Sequence, residues 1–106
     1  MNSTVVIHDV YIGVDESGMY VTASPKRIEA SQGDKFRANS DKGKFWLKFE
    51  PWPFKEPSAT DIVDTANEFT FDKLGRFEFY CYLTLTGSTT QLRYREGDGG
   101  NGIVRR

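Results

Sequence analysis

Cys81 is the only cysteine and His8 the only histidine in this chain of 106 residues. A thiolate is a nucleophile and a metal ligand, and an imidazole is a general base or a metal ligand, so these two residues bound the chemistry on offer. Cys81 lies in GRFEFYCYLTLTG, residues 75–87, where Phe77, Phe79, Cys81, Leu83 and Leu85 recur at every second position. That is the period of a half-buried strand and puts the thiol on its apolar face. No Lys, Arg or His shares that face to lower the thiol pKa, and free cysteine is among the most buried residue types. The reading is core rather than reactive thiol.

His8 stands in VVIHDVYI, and a base needs a partner within hydrogen-bond reach. Asp9 falls on the opposite face of the strand. His8 and Cys81 together supply two metal donors and spacing supplies no third, so a degenerate two-ligand site is the most a metal reading assembles. The carboxylates are scattered, and no P-loop, GxSxG or HExxH is present. Neither an enzyme nor a bound cofactor is expected.

The elements that would hold these residues are strands. Val6, His8, Val10 and Ile12 alternate with Val5, Ile7, Asp9 and Tyr11 over residues 4–14. Strands follow at 19–23, 27–30 and 35–39, with Ser31-Gln32-Gly33-Asp34 as a tight turn. Residues 44–50 alternate most clearly, with Phe45, Leu47 and Phe49 on one face and Trp46, Lys48 and Glu50 on the other. PWPFKEPSATDIVDTA carries three prolines and cannot be a central strand. It reads as a long loop with a helical turn around Ser58–Val63, Ser58 capping it. Short strands at 68–71, 77–85 and 89–95 complete the set. The segment GDGGNG makes residues 97–106 a flexible tail by composition, leaving 1–96 as one domain. Seven to eight short strands separated by turns predict an all-β, Greek-key β-sandwich.

Aromatic residues make up 14% of the chain, enough large rings to stabilise a small core without disulfides. Net charge is −1, with basic and acidic residues interspersed, which provides no steering toward nucleic acid or anionic lipid. MNSTVVIHDVYIG has no basic n-region and no long apolar run, so neither a secretory signal nor a membrane span is predicted. With a lone cysteine, the expected location is cytoplasmic.

Two stretches resemble the cupredoxin family, the blue-copper fold. Gly33-Asp34-Lys35-Phe36-Arg37-Ala38-Asn39 is similar to the family's GDxVxFxN stretch. Phe69, Phe71, Gly75, Phe77, Phe79 and Cys81 follow its F.F..pG.Y.Y.C pattern, in which the Cys ligates copper. The resemblance spans about residues 20–95 and implies a cupredoxin-like sandwich. The ligand set that a type 1 site needs departs from the pattern. Lys44, Phe45 and Trp46 stand where the first histidine belongs. Tyr82–Gly87 contains no second histidine, and the only methionines are Met1 and Met19. Cys81 alone matches a ligand position, so no metal is expected.

KFWLKFEPWPFKEP, residues 44–57, has more aromatics than one strand face can bury. The Pro-Trp-Pro-Phe loop either covers an open end of the core or forms a partner-binding patch, and Trp anchors on a rigid loop suit the second. Tyr80 and Tyr82 flank Cys81 on the outward face, an adhesive surface with Tyr94 near it. The candidate partner-binding residues are therefore Trp46, Trp52, Phe54, Tyr80 and Tyr82. The expected function is a non-enzymatic, metal-free protein-interaction or assembly module whose partner is another protein or a second copy. The alternatives are a degenerate copper-binding or electron-transfer protein using Cys81, and a small glycan- or nucleic-acid-binding sandwich using Trp46, Trp52 and the nearby lysines. Glu50, Glu56 and the near-neutral charge weigh against nucleic acid.

Overall fold

In the computed structural model, which describes residues 4–106, every regular element is a β-strand. Residues 1–3 of the expected domain lie outside the described residues. The strands are β1 (Ile7–Val14), β2 (Tyr20–Ser24), β3 (Arg27–Ser31), β4 (Lys35–Asn39), β5 (Gly43–Glu50), β6 (Ile62–Val63), β7 (Phe69–Thr70), β8 (Gly75–Leu85), β9 (Gln91–Tyr94) and β10 (Gly100–Arg105). They form one continuous hydrogen-bonded sheet in the order β3-β10-β8-β9-β2-β1-β4-β7, with β5 on the free edge of β8 and β6 beyond it.

β8 is the trunk of this arrangement. One edge pairs with β5 from Gly43↔Leu85 to Glu50↔Glu78. The other is shared, Gly75–Phe79 pairing with β10 and Tyr82–Thr84 with β9. The alternation in its sequence explains its placement, since Phe77, Phe79, Cys81 and Leu83 are all buried. The sheet folds back on itself around these residues. Phe36 of β4 meets Phe49 of β5 edge to face at 5.4 Å, although the two strands are not hydrogen-bonded neighbours. Phe49, Phe54, Phe71, Phe77 and Phe79 continue the ring cluster with centroid spacings of 5.0 to 6.4 Å. Each buried Phe contributes about 1.5–3 kcal/mol of burial, and each pair about 0.5–1.5 kcal/mol more.

Three expectations are corrected. Among the described residues the strands number ten rather than seven or eight. The helical turn expected around Ser58–Val63 is not helix: Ser58 Oγ accepts from the N–H of Thr60 and of Ile62, and Ile62–Val63 then pairs with Lys48–Leu47 as β6. The local capping chemistry operates, but the sheet edge offers Val63 a fully buried site that an isolated turn does not.

The third correction concerns the tail. Residues 100–105 are not flexible but lie between β3 and β8 as β10, parallel to the former and antiparallel to the latter. The glycines that suggested mobility are a packing requirement. A Cβ on Gly100 would lie 2.1 Å from Phe79 Cζ, and one on Gly102 would lie 2.4 Å from Phe77 Cζ. The Phe rings lie against backbone where side chains are missing, and Val104 closes the row at 2% exposure.

Candidate interaction surface

Cys81 sits in the middle of β8 opposite Leu47, 3% exposed. Burial pushes its thiol up to about 12, so it carries no thiolate at neutral pH. No group of three His, Cys, Asp or Glu side chains comes together among the described residues. His8 is engaged elsewhere. Its Nε2 lies 2.9 Å from Asp34 Oδ2, and the same carboxylate accepts from the N–H of Ser31 at 2.9 Å and of Val6 at 3.3 Å. Burial pushes the Asp34 carboxyl up, but the bonds from His8, Ser31 and Val6 outweigh it and hold it below its ordinary value. Asp34 is thus a pin that ties the β3–β4 turn to the start of β1.

Two of the five expected partner-binding residues are inside the protein. Trp52 is 7% exposed and Phe54 1%. The Trp52 indole N–H donates to the Glu56 carbonyl at 2.8 Å, and Phe54 packs on Phe36, Phe49 and Phe71. The loop's return is fixed by the Glu56 carboxylate, which accepts from the Thr70 N–H at 2.6 Å and the Thr70 hydroxyl at 2.8 Å. Of the two roles open to the Pro-Trp-Pro-Phe loop, it performs the first and closes the core. Trp52 and Phe54, expected at a partner-binding patch, instead present almost no surface.

The other three residues come together on the outer face of β5, β8 and β9. The ladder places Trp46 opposite Tyr82 and Tyr82 opposite Arg93. Trp46 and Tyr82 stack at 3.9 Å with planes 12° apart, and the indole N–H donates to Gln91 Oε1 at 2.9 Å. Tyr94 meets Tyr82 edge to face at 5.9 Å, and Tyr80 in a tilted arrangement at 5.1 Å. The four rings form one row, each half-buried. Tyr80 donates its hydroxyl to Glu78, and this bond above all pushes its pKa up to about 12. Burial raises Tyr82 in the same direction. Neither phenol ionises near neutrality. The Arg93 guanidinium lies 4.9 Å from the Tyr94 ring centroid.

A groove lies at each end of the row. One, of about 470 Å³, includes Tyr80, Tyr94, Glu78, Glu96 and Asn101 in its lining. The other, of about 710 Å³, runs beside Trp46 toward Asp64, Thr65 and Ala66. Sequence reasoning missed Gln91 and Arg93, because strand order decides which polar residues neighbour an aromatic. The alternation of β9 marks both as outward but does not identify β8 as its partner.

No family model matches the chain, and no curated protein matches it either. No helix among the described residues is long and apolar enough to cross a membrane.

Proposed function

We propose that this chain is a non-enzymatic, metal-free interaction module on a cupredoxin-like Greek-key sandwich, binding a partner protein across the outer face of β5, β8 and β9. The observation that carries this reading is the row Trp46–Tyr82–Tyr94–Tyr80. Large aromatic rings on an outer sheet face hold apolar area in water that a partner would bury. These rings are already fixed by stacking, by Gln91 and by Glu78, so little side-chain entropy is lost on binding. Lys44, Lys48 and Arg93 surround the row and supply a polar rim.

A degenerate copper site draws less support. Cys81 is enclosed by core, and His8 is bonded to Asp34. Affinity capture from the source cells with wild type, Tyr80→Ala and Tyr94→Ala, all verified as folded, tests the reading. A protein held by wild type and lost by both variants supports it. The same proteins held by all three, or none held by a wild type that is also monomeric in sedimentation, removes it.

A further inference from the structure

We propose that the groove beside Trp46 is a subsite for one pyranose ring of a saccharide. It shares Trp46 and Lys44 with the protein-partner reading but stands apart from it at Tyr80 and Tyr94, neither of which lines this groove.

The groove exists because β5 is unevenly flanked. On one side β8 pairs with its whole length. On the other, β6 reaches only Leu47 and Lys48. Phe49 donates its N–H toward β6, to the Asp61 carbonyl at 2.9 Å, whereas the Lys42 carbonyl accepts from Thr86 N–H on the β8 side at 2.9 Å. By alternation, the backbone of Phe45 also points away from β8, beyond the end of β6. The sheet edge is therefore open from Gly43 to Trp46, and the chain at Asp64–Ala66 forms the opposite bank.

Trp46 makes this opening selective. Tyr82 covers one indole face, and Trp46 lines the groove together with Lys44, Thr84 of β8 and the chain at Asp64–Ala66. The bond to Gln91 holds the ring in place. Trp46 therefore gives the groove an aromatic wall held in one orientation. Lys44, Asp64, Thr65 and Thr84 line the rest. A pyranose matches this set. Its axial C–H face packs on an aromatic plane, and its ring of hydroxyls needs donors and acceptors together. Lys44 donates, Asp64 accepts, and the two threonines do both. A volume of about 710 Å³ is ample for one sugar ring. A nucleobase would also stack, but one lysine opposed by one aspartate leaves no net charge for a phosphodiester.

The test is a titration of ¹⁵N-labelled protein with cellohexaose and with chitohexaose, whose equatorial hydroxyls leave flat apolar ring faces. Oligothymidylate serves as the comparison. The expected result is a saturable shift of the Trp46 indole N–H and of amides 62–66 with one of the sugars, with a dissociation constant on the order of 1 mM or tighter. Trp46→Ala and Asp64→Ala should each weaken binding about tenfold or more, while Tyr94→Ala should leave it unchanged. The Asp64 variant keeps the inference testable if removing Trp46 disturbs the sheet. Silence at the Trp46 indole with both sugars, or a response there to oligothymidylate alone, overturns the assignment.

Discussion

His8 and Asp34, 26 residues apart in the chain, face each other across 2.9 Å from Nε2 to Oδ2. An ionised carboxylate only accepts, so the imidazole Nε2 carries the proton in this bond. The parallel pairing of β1 with β4, His8 opposite Phe36, brings them together. His8 also packs edge-on against Phe71 at 5.8 Å. The pair links the start of β1, the β3–β4 turn and the edge of the aromatic core.

Removing Asp34 leaves the N–H groups of Val6 and Ser31 and the ring of His8 without their acceptor. Asp34→Ala is expected to destabilise the protein by about 2–4 kcal/mol, read from urea unfolding midpoints at constant m. The pH dependence has a definite sign. The folded Asp34 pKa is depressed, so the unfolded state binds more protons as acid is added. The stabilisation is present above the unfolded value of about 4 and disappears as pH falls through the folded value. Stability of the wild type should decline below about pH 4, and Asp34→Asn should decline less steeply over that range.

The two tryptophans should respond very differently to truncation. Trp52 fills core space under its loop, and Trp52→Ala is expected to cost about 3–5 kcal/mol. Trp46 is half-buried on the outer face, and Trp46→Ala should cost on the order of 1 kcal/mol, mainly the stack on Tyr82. Paired thermal and urea unfolding measures the contrast. Equal costs would contradict the burial difference.

Gly100 and Gly102 should resist substitution. Alanine at either drives a methyl group into a Phe ring, and overpacking of this kind costs about 1–3 kcal/mol. Native-state hydrogen exchange provides an independent check. The ladder amides of β10 should be protected to the same degree as those of β8, whereas a mobile tail would exchange at the intrinsic rate.

Cys81 should be inert in the folded protein. Its thiol, raised to about 12 by burial, leaves almost no thiolate at pH 8. A disulfide reagent should label it only after unfolding in urea. Rapid labelling of the native protein would place the thiol outside the core.

Which side of β5 and of β8 faces the core was legible in the sequence, because side chains alternate along extended backbone. Leu47 and Phe49 against Lys48 and Glu50, and Phe79 and Cys81 against Tyr80 and Tyr82, follow from that period alone. The burial of Cys81 and the outward aspect of Trp46, Tyr80 and Tyr82 were therefore readable without coordinates. Composition misled where glycine was concerned. GDGGNG signals mobility only if nothing packs on it, and the rings of Phe77 and Phe79 come from a strand more than twenty residues earlier in sequence.

What tertiary structure alone decided is adjacency between strands. Period-two patterning assigns faces but says nothing about strand order, since any exposed edge offers the same backbone donors and acceptors. The pairing of His8 with Asp34, the folding of Trp52 and Phe54 into the core, and the setting of Gln91 beside Trp46 all depend on that order. The sequence by itself determined an all-β chain with an aromatic core and an unreactive cysteine. Long-range pairing decided which aromatics were left on the surface, because only the strand order sets which rings and polar side chains become neighbours.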